Sequence, residues 1–255
     1  MISDKEKLEF LSNGFLILNW SVDSKLIDKL LKDINGKYRY DSPHYNLNNR
    51  IENAFQISKP VLNLATDERI LSSLSQLLGG KFFPFQTLNF EKGTQQKLHS
   101  DWFHFAPSNN KGLAGVWVAF EDTNENNGAL LVVPGSHKLP YKYPSDLGIK
   151  PGTKENPYKY YPAYEDAIEK LVTTEKLETR LIKLKKGQIL IWHSNLIHGG
   201  SKILEEQKTR YSQVTHYFQN GQLYFSPIKS RKGFFNKSYR IPFNIKKGKR
   251  VYSLF

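Results

Sequence analysis

Apolar residues recur three and four positions apart in two stretches near the start of the chain, the spacing that places them on one side of a helix. The first stretch follows candidate caps at 21–24 and ends at Gly36, and the second runs from Asp67 to Gly79-Gly80. Their apolar positions are Leu26, Ile27, Leu30, Leu31 and Ile34, then Ile70, Leu71, Leu74, Leu77 and Leu78. We expect both helices to cover one face of a sheet.

From Lys81 onward the pattern changes to short runs rich in aromatic and β-branched residues, separated by Gly, Pro and Asn. Such runs are typical of strands in an antiparallel sandwich or barrel. We predict strands at about 82–91, 97–104, 113–121, 129–134, 180–185, 188–193 and 209–219. A jelly roll with this strand order would bring residues 97–104 close to the residues that follow strand 188–193.

Two irregular stretches interrupt these elements. Residues 37–60 are polar and are expected to form a loop. Residues 140–164 contain six tyrosines and several prolines, with a helix predicted after Pro162. The second stretch is either a lid over a site or a cover for a sheet edge.

The 255 residues, of which 39% are apolar, suffice for one domain with a sizeable core. We expect an N-terminal helical cover at about 1–80, a β core at about 81–220 and a basic C-terminal segment at about 221–255. The absence of cysteine excludes disulfides, a thiolate nucleophile and cysteine-ligated metals. No secretory signal and no apolar run of roughly 18 residues is found, so a soluble, cytoplasmic protein is expected.

The net charge of +13 is concentrated near the C-terminus. Residues 207–255 contain 11 Lys and Arg and no Asp or Glu, whereas residues 1–206 contain 26 against 24. This asymmetry indicates an anionic substrate, a nucleic acid or a membrane surface, or else a solvated basic tail.

Candidate metal ligands lie at two places in the chain. His99 and Asp101 would share one face of an extended strand, where residues two apart point the same way. His198 is the best third ligand. Two histidines and a carboxylate with open positions form the facial triad of non-haem Fe(II) oxygenases. An H-x-D pair alone is weak evidence, because exposed strands carry such pairs by chance.

An arginine follows His198 by twelve residues. Arg210 would open a strand beside the metal, and a guanidinium group is suited to bind a carboxylate with two hydrogen bonds. Oxygenases that use 2-oxoglutarate need such a cation for the far carboxylate of the cosubstrate. The alternative is an arginine on an edge strand in solvent.

With these residues in place, the chain resembles the phytanoyl-CoA dioxygenase family of Fe(II)/2-oxoglutarate oxygenases over most of its length. The segments that carry the resemblance are Gly14 to Leu18, Leu98 to Asp101, Val116 to Asp122, Asn126 to Leu130, Val133 to Lys138, and Trp192 to Gly199 with Arg210. The implied fold is a double-stranded β-helix, a cupin-like jelly roll in which an all-β core carries flanking helices.

The resemblance implies a role for several positions. His99, Asp101 and His198 correspond to the iron ligands, and Arg210 corresponds to the cosubstrate clamp. Three further residues are expected to contact the cosubstrate: Trp117, Gln86 and Asn89.

Four further histidines are interpreted separately. His193 is expected either to be packed in the interior or to lie beside the ligands, rather than to bind metal, and His137 to stabilise the turn Pro134-Gly135-Ser136-His137. His104 would face either the substrate or a flank, and His216 and its neighbour Tyr217 are expected in the core.

The implied activity is hydroxylation of a small organic substrate with Fe(II), 2-oxoglutarate and O2, releasing succinate and CO2. Asp101 favours hydroxylation, because halogenases of the family have a small residue at the ligating carboxylate. The basic segment favours an anionic substrate, and Lys229, Arg231, Lys232 and 246–250 could border its pocket. A nucleic-acid oxygenase and a non-catalytic metal-binding β-barrel are the alternatives. The oligomeric state is left open.

Overall fold

The computed structural model describes residues 1–38, 50–109, 111–153, 156 and 158–252. Five helices are present among them: α1 Asp4–Asn13, α2 Ser24–Ile34, α3 Lys59–Ala65, α4 Glu68–Leu78 and α5 Tyr161–Thr174. The strands are β1 Phe15–Ser21, β2 Arg50–Glu52, β3 Phe82–Phe90, β4 Ala106–Pro107, β5 Leu113–Ala119, β6 Leu130–Val132, β7 Arg180–Ile182, β8 Gln188–His193, β9 His198–Gly200, β10 Ser212–Gln219, β11 Tyr224–Phe225, β12 Tyr239–Arg240, β13 Phe243–Asn244 and β14 Lys249–Arg250. Most of the loop predicted at 37–60 lies outside the described residues or forms β2 and α3.

A large antiparallel sheet has the strand order β1-β8-β5-β10-β3-β2. A smaller sheet of order β7-β6-β9 faces it, and apolar side chains fill the space between the two. Trp117 and Trp192 from the large sheet meet Leu130 and Val132 from the small one. The two sheets form the predicted jelly roll, a double-stranded β-helix.

The helices cover the outer face of the large sheet. Alternate strand residues point outward into this layer, where they meet the apolar faces of α2, α3 and α4. Its buried members include Leu16, Leu18, Ile27, Leu30, Ile34, Val61, Ile70, Leu74, Val116, Val118, Ile189, Ile191 and Tyr217. The helical periodicity in the sequence therefore predicted both the helices and the face they bury.

The first 80 residues also supply two strands of the large sheet. β1 pairs with β8, with Phe15 opposite Trp192, and β2 pairs with β3, with Arg50 opposite Phe90. The N-terminal region is thus part of the jelly roll as well as its helical cover.

Residues 97–104 do not form the predicted strand. His99 makes an isolated bridge to His198, and the chain then turns into a 3-10 helix at Asp101–Phe103. The run of apolar and aromatic residues there is buried by packing around a turn, because Trp102 and Phe103 enter two different apolar clusters.

The start of the basic C-terminal segment folds back against the core. β12 pairs with β11, and β11 pairs with β4, which follows the turn at Asp101–Phe103 by two residues. Further along, the Ile245 N–H donates to the Pro84 carbonyl at the start of β3. Among the described residues, no helix combines the length and the apolar character needed to cross a membrane.

Candidate metal centre

His99 and His198 are held together by their backbones. The His99 N–H donates to the His198 carbonyl at 2.9 Å, and the His198 N–H donates to the His99 carbonyl at 2.9 Å. His198 opens β9 and lies opposite Val132 in the small sheet. This bridge places the two imidazole rings 4.5 Å apart between centroids.

Asp101 reaches the same point from a turn rather than from a strand. Ser100 is extended, and Asp101 begins the 3-10 helix that follows it. One ligand atom each from His99, Asp101 and His198 lies within 4.8 Å of the others, and all three residues are buried. The structure therefore brings the predicted triad together, although the strand alternation expected for His99 and Asp101 was wrong.

Both imidazoles present a free Nε2 to this point. Nδ1 of His99 lies 2.9 Å from the Lys97 carbonyl, and Nδ1 of His198 lies 3.0 Å from the Leu196 carbonyl. A carbonyl only accepts hydrogen bonds, so each Nδ1 carries the proton and each Nε2 keeps its lone pair. That tautomer is the one that binds a metal through Nε2.

The electrostatics of the site favour the ligating protonation states. Burial lowers the pKa of His99 to about 3, and the neighbouring His198 adds to the shift. Burial would raise the pKa of Asp101, but the nearby His216 and His198 outweigh it and hold the pKa of Asp101 below its usual range. At neutral pH, His99 is a neutral imidazole and Asp101 a carboxylate, a donor set suited to a divalent metal.

Two residues of the large sheet contact one carboxylate oxygen of Asp101, Oδ2. The Trp192 indole Nε1 donates to Oδ2 at 2.7 Å, and His216 Nε2 lies 3.4 Å from the same atom. Gly115 makes room for the indole, since a Cβ at this position would lie 2.2 Å from the Trp192 ring. Oδ1 makes no hydrogen bond with a described residue and lies 3.8 Å from His198 Nε2.

The prediction that His216 belongs to the core was wrong, whereas Tyr217 is in the core as expected. Tyr217 is fully buried under the helices, and its hydroxyl donates to the Ala65 carbonyl at 2.9 Å. His216 points to the opposite face of β10 and lines the pocket beside Arg210 and Val214. The sequence numbering already indicated this face, because positions 210, 214 and 216 are an even number of residues apart and so share one face of an extended chain.

Gln86 and Asn89 likewise point to opposite faces of β3. Gln86 lies opposite His216 in the sheet, and its Oε1 is 3.1 Å from His216 Nδ1. The structure corrects the expectation for Asn89, which points to the outer face, where its amide donates to Gln213 Oε1 at 3.1 Å. Residues three apart in a strand point to opposite faces, so only one of the two could face the pocket. Gln86 contacts His216, which in turn contacts Asp101, so its link to the metal ligands is indirect.

Arg210 is a buried cation in the same pocket. The residue is 3% exposed and precedes β10; its Nη1 donates to the Gly128 carbonyl at 3.0 Å. Its Nε is buried and has no hydrogen-bond partner among the residues that the structure describes. Burial lowers the pKa of Arg210 to about 10, so the group stays charged at neutral pH. Glu121 acts on its charge from a distance and raises its pKa, but no carboxylate among the described residues forms an ion pair with it, so the guanidinium can bind an anionic ligand.

The triad and Arg210 line one recess of about 520 Å³, part of which is open to solvent. Trp117 forms part of its wall, with its ring 5.3 Å from the Arg210 guanidinium carbon. The remaining lining residues are Arg50, Leu88, Phe90, Thr94, Gln96, Leu130, Trp192, Gly199, Gly200, Val214 and His216. The recess combines apolar and aromatic walls with a few convergent polar groups, as sites for small organic molecules do.

Two further histidines lie away from the triad. The His193 Nδ1 accepts a hydrogen bond from the Asn195 N–H at 3.1 Å, and its ring is 5.4 Å from that of His137. His137 lies in the 3-10 turn Ser136–Lys138, which follows β6. Neither residue lines the recess.

The tyrosines of 140–164 pack against the segment that carries the ligands. Tyr164 stacks on Phe103 at 3.6 Å, and its hydroxyl accepts a hydrogen bond from the Ser100 N–H at 3.0 Å. Tyr141 packs on Trp102 at 4.8 Å. These contacts fix the backbone on either side of Asp101, so this part of the insertion forms a wall behind the turn.

Two proteins are similar to this chain over part of its length. The chain is 30% identical over 144 residues to the peroxisomal phytanoyl-CoA dioxygenase of Rattus norvegicus, a match that covers 53% of this chain and 37% of that protein. It is 24% identical over 153 residues to a probable alpha-ketoglutarate-dependent hypophosphite dioxygenase of Stutzerimonas stutzeri, covering 52% and 53%. The matches thus span about half, or less, of the length of these relatives.

A solved structure shows the same fold. The crystal structure of EctD from S. alaskensis with 2-oxoglutarate and 5-hydroxyectoine superposes with a TM-score of 0.68 at 17% identity, over 99% of this chain and 86% of that one. The family model described as Phytanoyl-CoA dioxygenase (PhyH) matches residues 10–210, a range that includes β1, the triad and Arg210. The chain therefore belongs to the phytanoyl-CoA dioxygenase family.

Proposed function

We propose that this protein is an Fe(II)- and 2-oxoglutarate-dependent dioxygenase that hydroxylates a small organic substrate, with an anionic one favoured. The observation that carries the proposal is the shared recess, in which a buried His-Asp-His triad lies together with a buried guanidinium that forms no ion pair with a carboxylate of the described part of the chain. Family membership and relatives named as dioxygenases support it.

The residues present fit both groups. His99 and His198 would hold iron through Nε2, and Asp101 through Oδ1, since Trp192 and His216 occupy Oδ2. Arg210 would bind the far carboxylate of 2-oxoglutarate through its unpartnered Nε, with Trp117 along its side. Bound iron and cosubstrate supply the oxidising chemistry, in which O2 is used, 2-oxoglutarate becomes succinate and CO2, and a substrate C–H becomes C–OH.

The protein's contribution is to orient and shield. The Trp192 and His216 contacts fix the plane of the Asp101 carboxylate, and the carbonyls at Lys97 and Leu196 fix the imidazole tautomers. The aromatic and aliphatic side chains that line the recess would limit the access of water to a bound metal. Because Asp101 keeps the ligating carboxylate, hydroxylation is favoured over halogenation.

A metal-binding barrel without catalysis would not need Arg210, because a buried cation without an anionic partner is costly. The nucleic-acid alternative was based on the basic segment, and part of that charge is already paired within the protein. Lys232 pairs with Asp146, and Lys246 pairs with Glu68. The recess and these pairs together favour a small molecule.

The proposal is tested by adding Fe(II) and 2-oxoglutarate to the protein under anaerobic conditions and recording the visible charge-transfer band of a chelated complex. We expect a band in the wild type, loss of the band in Asp101→Ala, and weaker cosubstrate binding in Arg210→Ala. Succinate release, measured against a panel of small acids, phosphonates and acyl thioesters, then identifies the substrate class. Absence of the band, or a band unchanged in both variants, would contradict the assignment.

A further inference from the structure

The C-terminal hairpin formed by β13 and β14 has an outer face that is apolar where polar residues are usual. Burial alternates along its first strand: Pro242 and Asn244 are buried, whereas Ile241 and Phe243 are exposed. In an antiparallel strand that packs on a core with one side, the exposed positions are normally the polar ones. The inverted pattern indicates that this face contacts something other than water.

The second strand of the hairpin adds to the same face. Phe243 lies opposite Arg250, and a 2.9 Å backbone hydrogen bond of the next residue pair continues this register. Ile241 therefore lies opposite Tyr252, and side chains directly opposite each other in an antiparallel pair share a face. The exposed fractions are 46% for Ile241, 36% for Phe243 and 71% for Tyr252, and Arg250 is exposed as well. The outer face is thus a contiguous set of three apolar or aromatic side chains and one guanidinium.

The hairpin is docked on the core and is not a loose basic tail. The Ile245 N–H donates to the Pro84 carbonyl at 2.9 Å, and Lys246 in the turn pairs with Glu68. On the inner side, Val251 packs against one of the apolar clusters of the core. The outer face therefore has a fixed position, as a binding surface needs.

The surroundings of this face are cationic. Lys247 in the turn and Lys249 beside it are exposed, as is Arg250 on the face itself. No carboxylate in the described ranges forms an ion pair with these three residues, whereas Lys232 and Lys246 of the same segment are paired. Residues 207–255 contain no Asp or Glu that could compensate the charge.

Exposed apolar and aromatic side chains with cations around them match an anionic lipid surface. Tyrosine rings favour the membrane–water interface, isoleucine and phenylalanine reach the boundary of the acyl chains, and lysine and arginine are attracted to acidic headgroups. A second copy of the chain fits less well, because contact between two such faces would bring like charges together. A nucleic acid would use the cations and stack on the rings, but it would leave Ile241 exposed.

We propose that the outer face of the C-terminal hairpin binds an anionic lipid surface. The three cations contact the headgroups, and the apolar and aromatic side chains enter the interface. Such binding is peripheral and reversible, because the buried apolar area is small. It uses neither the metal ligands nor Arg210, so it is independent of the proposed function.

The test is co-sedimentation of the full chain with vesicles of phosphatidylcholine alone and with vesicles that contain an equal amount of phosphatidylglycerol. We expect binding to the mixed vesicles that weakens as the salt concentration is raised, and much weaker binding to phosphatidylcholine alone. A DNA duplex is titrated in parallel by fluorescence anisotropy. Analytical ultracentrifugation follows the oligomeric state.

Two pairs of substitutions separate the charges from the apolar contacts. Lys247→Gln with Lys249→Gln should lower the affinity for mixed vesicles about tenfold or more. Ile241→Ser with Tyr252→Ser should lower it by a similar factor and leave a remainder that depends on salt. All four side chains are exposed, so the fold should be retained, which thermal unfolding checks.

The matched controls carry the same kinds of change on the helices. Lys25→Gln with Lys29→Gln removes two exposed charges of α2, and Leu8→Ser with Leu11→Ser removes two exposed apolar side chains of α1. Both controls should bind the mixed vesicles as the wild type does.

Four results would overturn the inference: no binding to the mixed vesicles, equal binding to the two kinds of vesicle, equal losses in the control and hairpin pairs, or binding to the duplex or to a second copy in place of the vesicles. Its failure is distinguishable from that of the proposed function. The vesicle assay requires neither iron nor 2-oxoglutarate, whereas the proposed function depends on the anaerobic Fe(II)/2-oxoglutarate band.

Discussion

The indole Nε1 of Trp192 donates a 2.7 Å hydrogen bond to Oδ2 of Asp101 and so joins β8 to the turn that carries the carboxylate. The bond fixes one oxygen of Asp101 and leaves the other facing His198. Partners of this kind orient metal-ligating side chains and tune their affinity.

Trp192→Phe should therefore weaken metal binding without removing a ligand. Phenylalanine fills most of the volume but cannot donate to Asp101, and loss of such a partner typically costs about 10- to 100-fold in affinity. Metal titration, with Co(II) or Fe(II), measures the change. Trp20→Phe is the control, because Trp20 packs under Arg69, away from the triad. Equal metal affinity in Trp192→Phe and wild type would contradict the positioning role.

His216 and Tyr217 are neighbours in sequence with opposite roles. His216→Leu should lower metal affinity, because Asp101 Oδ2 loses a contact, and should also lower the free energy of unfolding of the metal-free protein, because the buried carboxylate loses a favourable neighbour. Tyr217→Phe removes the buried hydrogen bond to Ala65 and should lower the free energy of unfolding by about 1 kcal/mol, with metal affinity unchanged. Urea unfolding and metal titration of both variants check the contrast. The reverse pattern would show that the faces have been assigned wrongly.

Arg210 is expected to reduce the stability of the ligand-free protein. Its guanidinium is buried with an unpartnered Nε and no ion pair to a carboxylate of the described chain, so Arg210→Met should raise or preserve the thermal midpoint without ligand. In the wild type, 2-oxoglutarate with Mn(II) should raise the midpoint, and in the variant this rise should largely disappear. A variant that is clearly less stable without ligand, or that keeps the full rise, would count against the cosubstrate role.

The metal-free protein should lose stability as the pH falls from about 6.5 towards 4. The pKa of His104 is lowered to about 4 in the folded state and is about 6.5 in the unfolded chain, so within this window the unfolded chain binds a proton that the folded state does not. His104→Gln should reduce the slope by about 1 kcal/mol per pH unit or less. Urea unfolding with a chelator at pH 6.5, 5.5 and 4.5 measures it. Parallel curves for the two proteins would refute the prediction.

Local chemistry made much of the site predictable. His99, Asp101, His198 and Arg210 were identified from their side-chain types and spacing, and the structure places all four around one recess. Trp117 was expected there from the family resemblance and also lines it. A metal site needs certain donor atoms whatever the path of the chain, so the donors can be identified before the path is known.

The neighbours of the ligands could not be predicted in the same way. The roles of Gln86, Asn89 and His216 depend on which face of a strand each occupies, and the pairing of β10 with β3 is regular from Ser212 opposite Phe90 to His216 opposite Gln86. Within such a regular stretch, residues an odd number of positions apart point to opposite faces. Parity therefore separates these positions, but only the tertiary structure shows which of the two faces carries the metal ligands.

The sequence by itself determined the helical faces, the β-rich core and the donor set, because periodicity and side-chain chemistry are local properties. Only the tertiary structure decided that Asp101 arrives on a turn, that Trp192 and His216 contact its Oδ2, and that Arg240 lies over the Phe105 ring. These relationships join residues far apart in the chain. They depend on sheet register and on close packing, such as that of Gly115 under the Trp192 indole, which no single segment specifies.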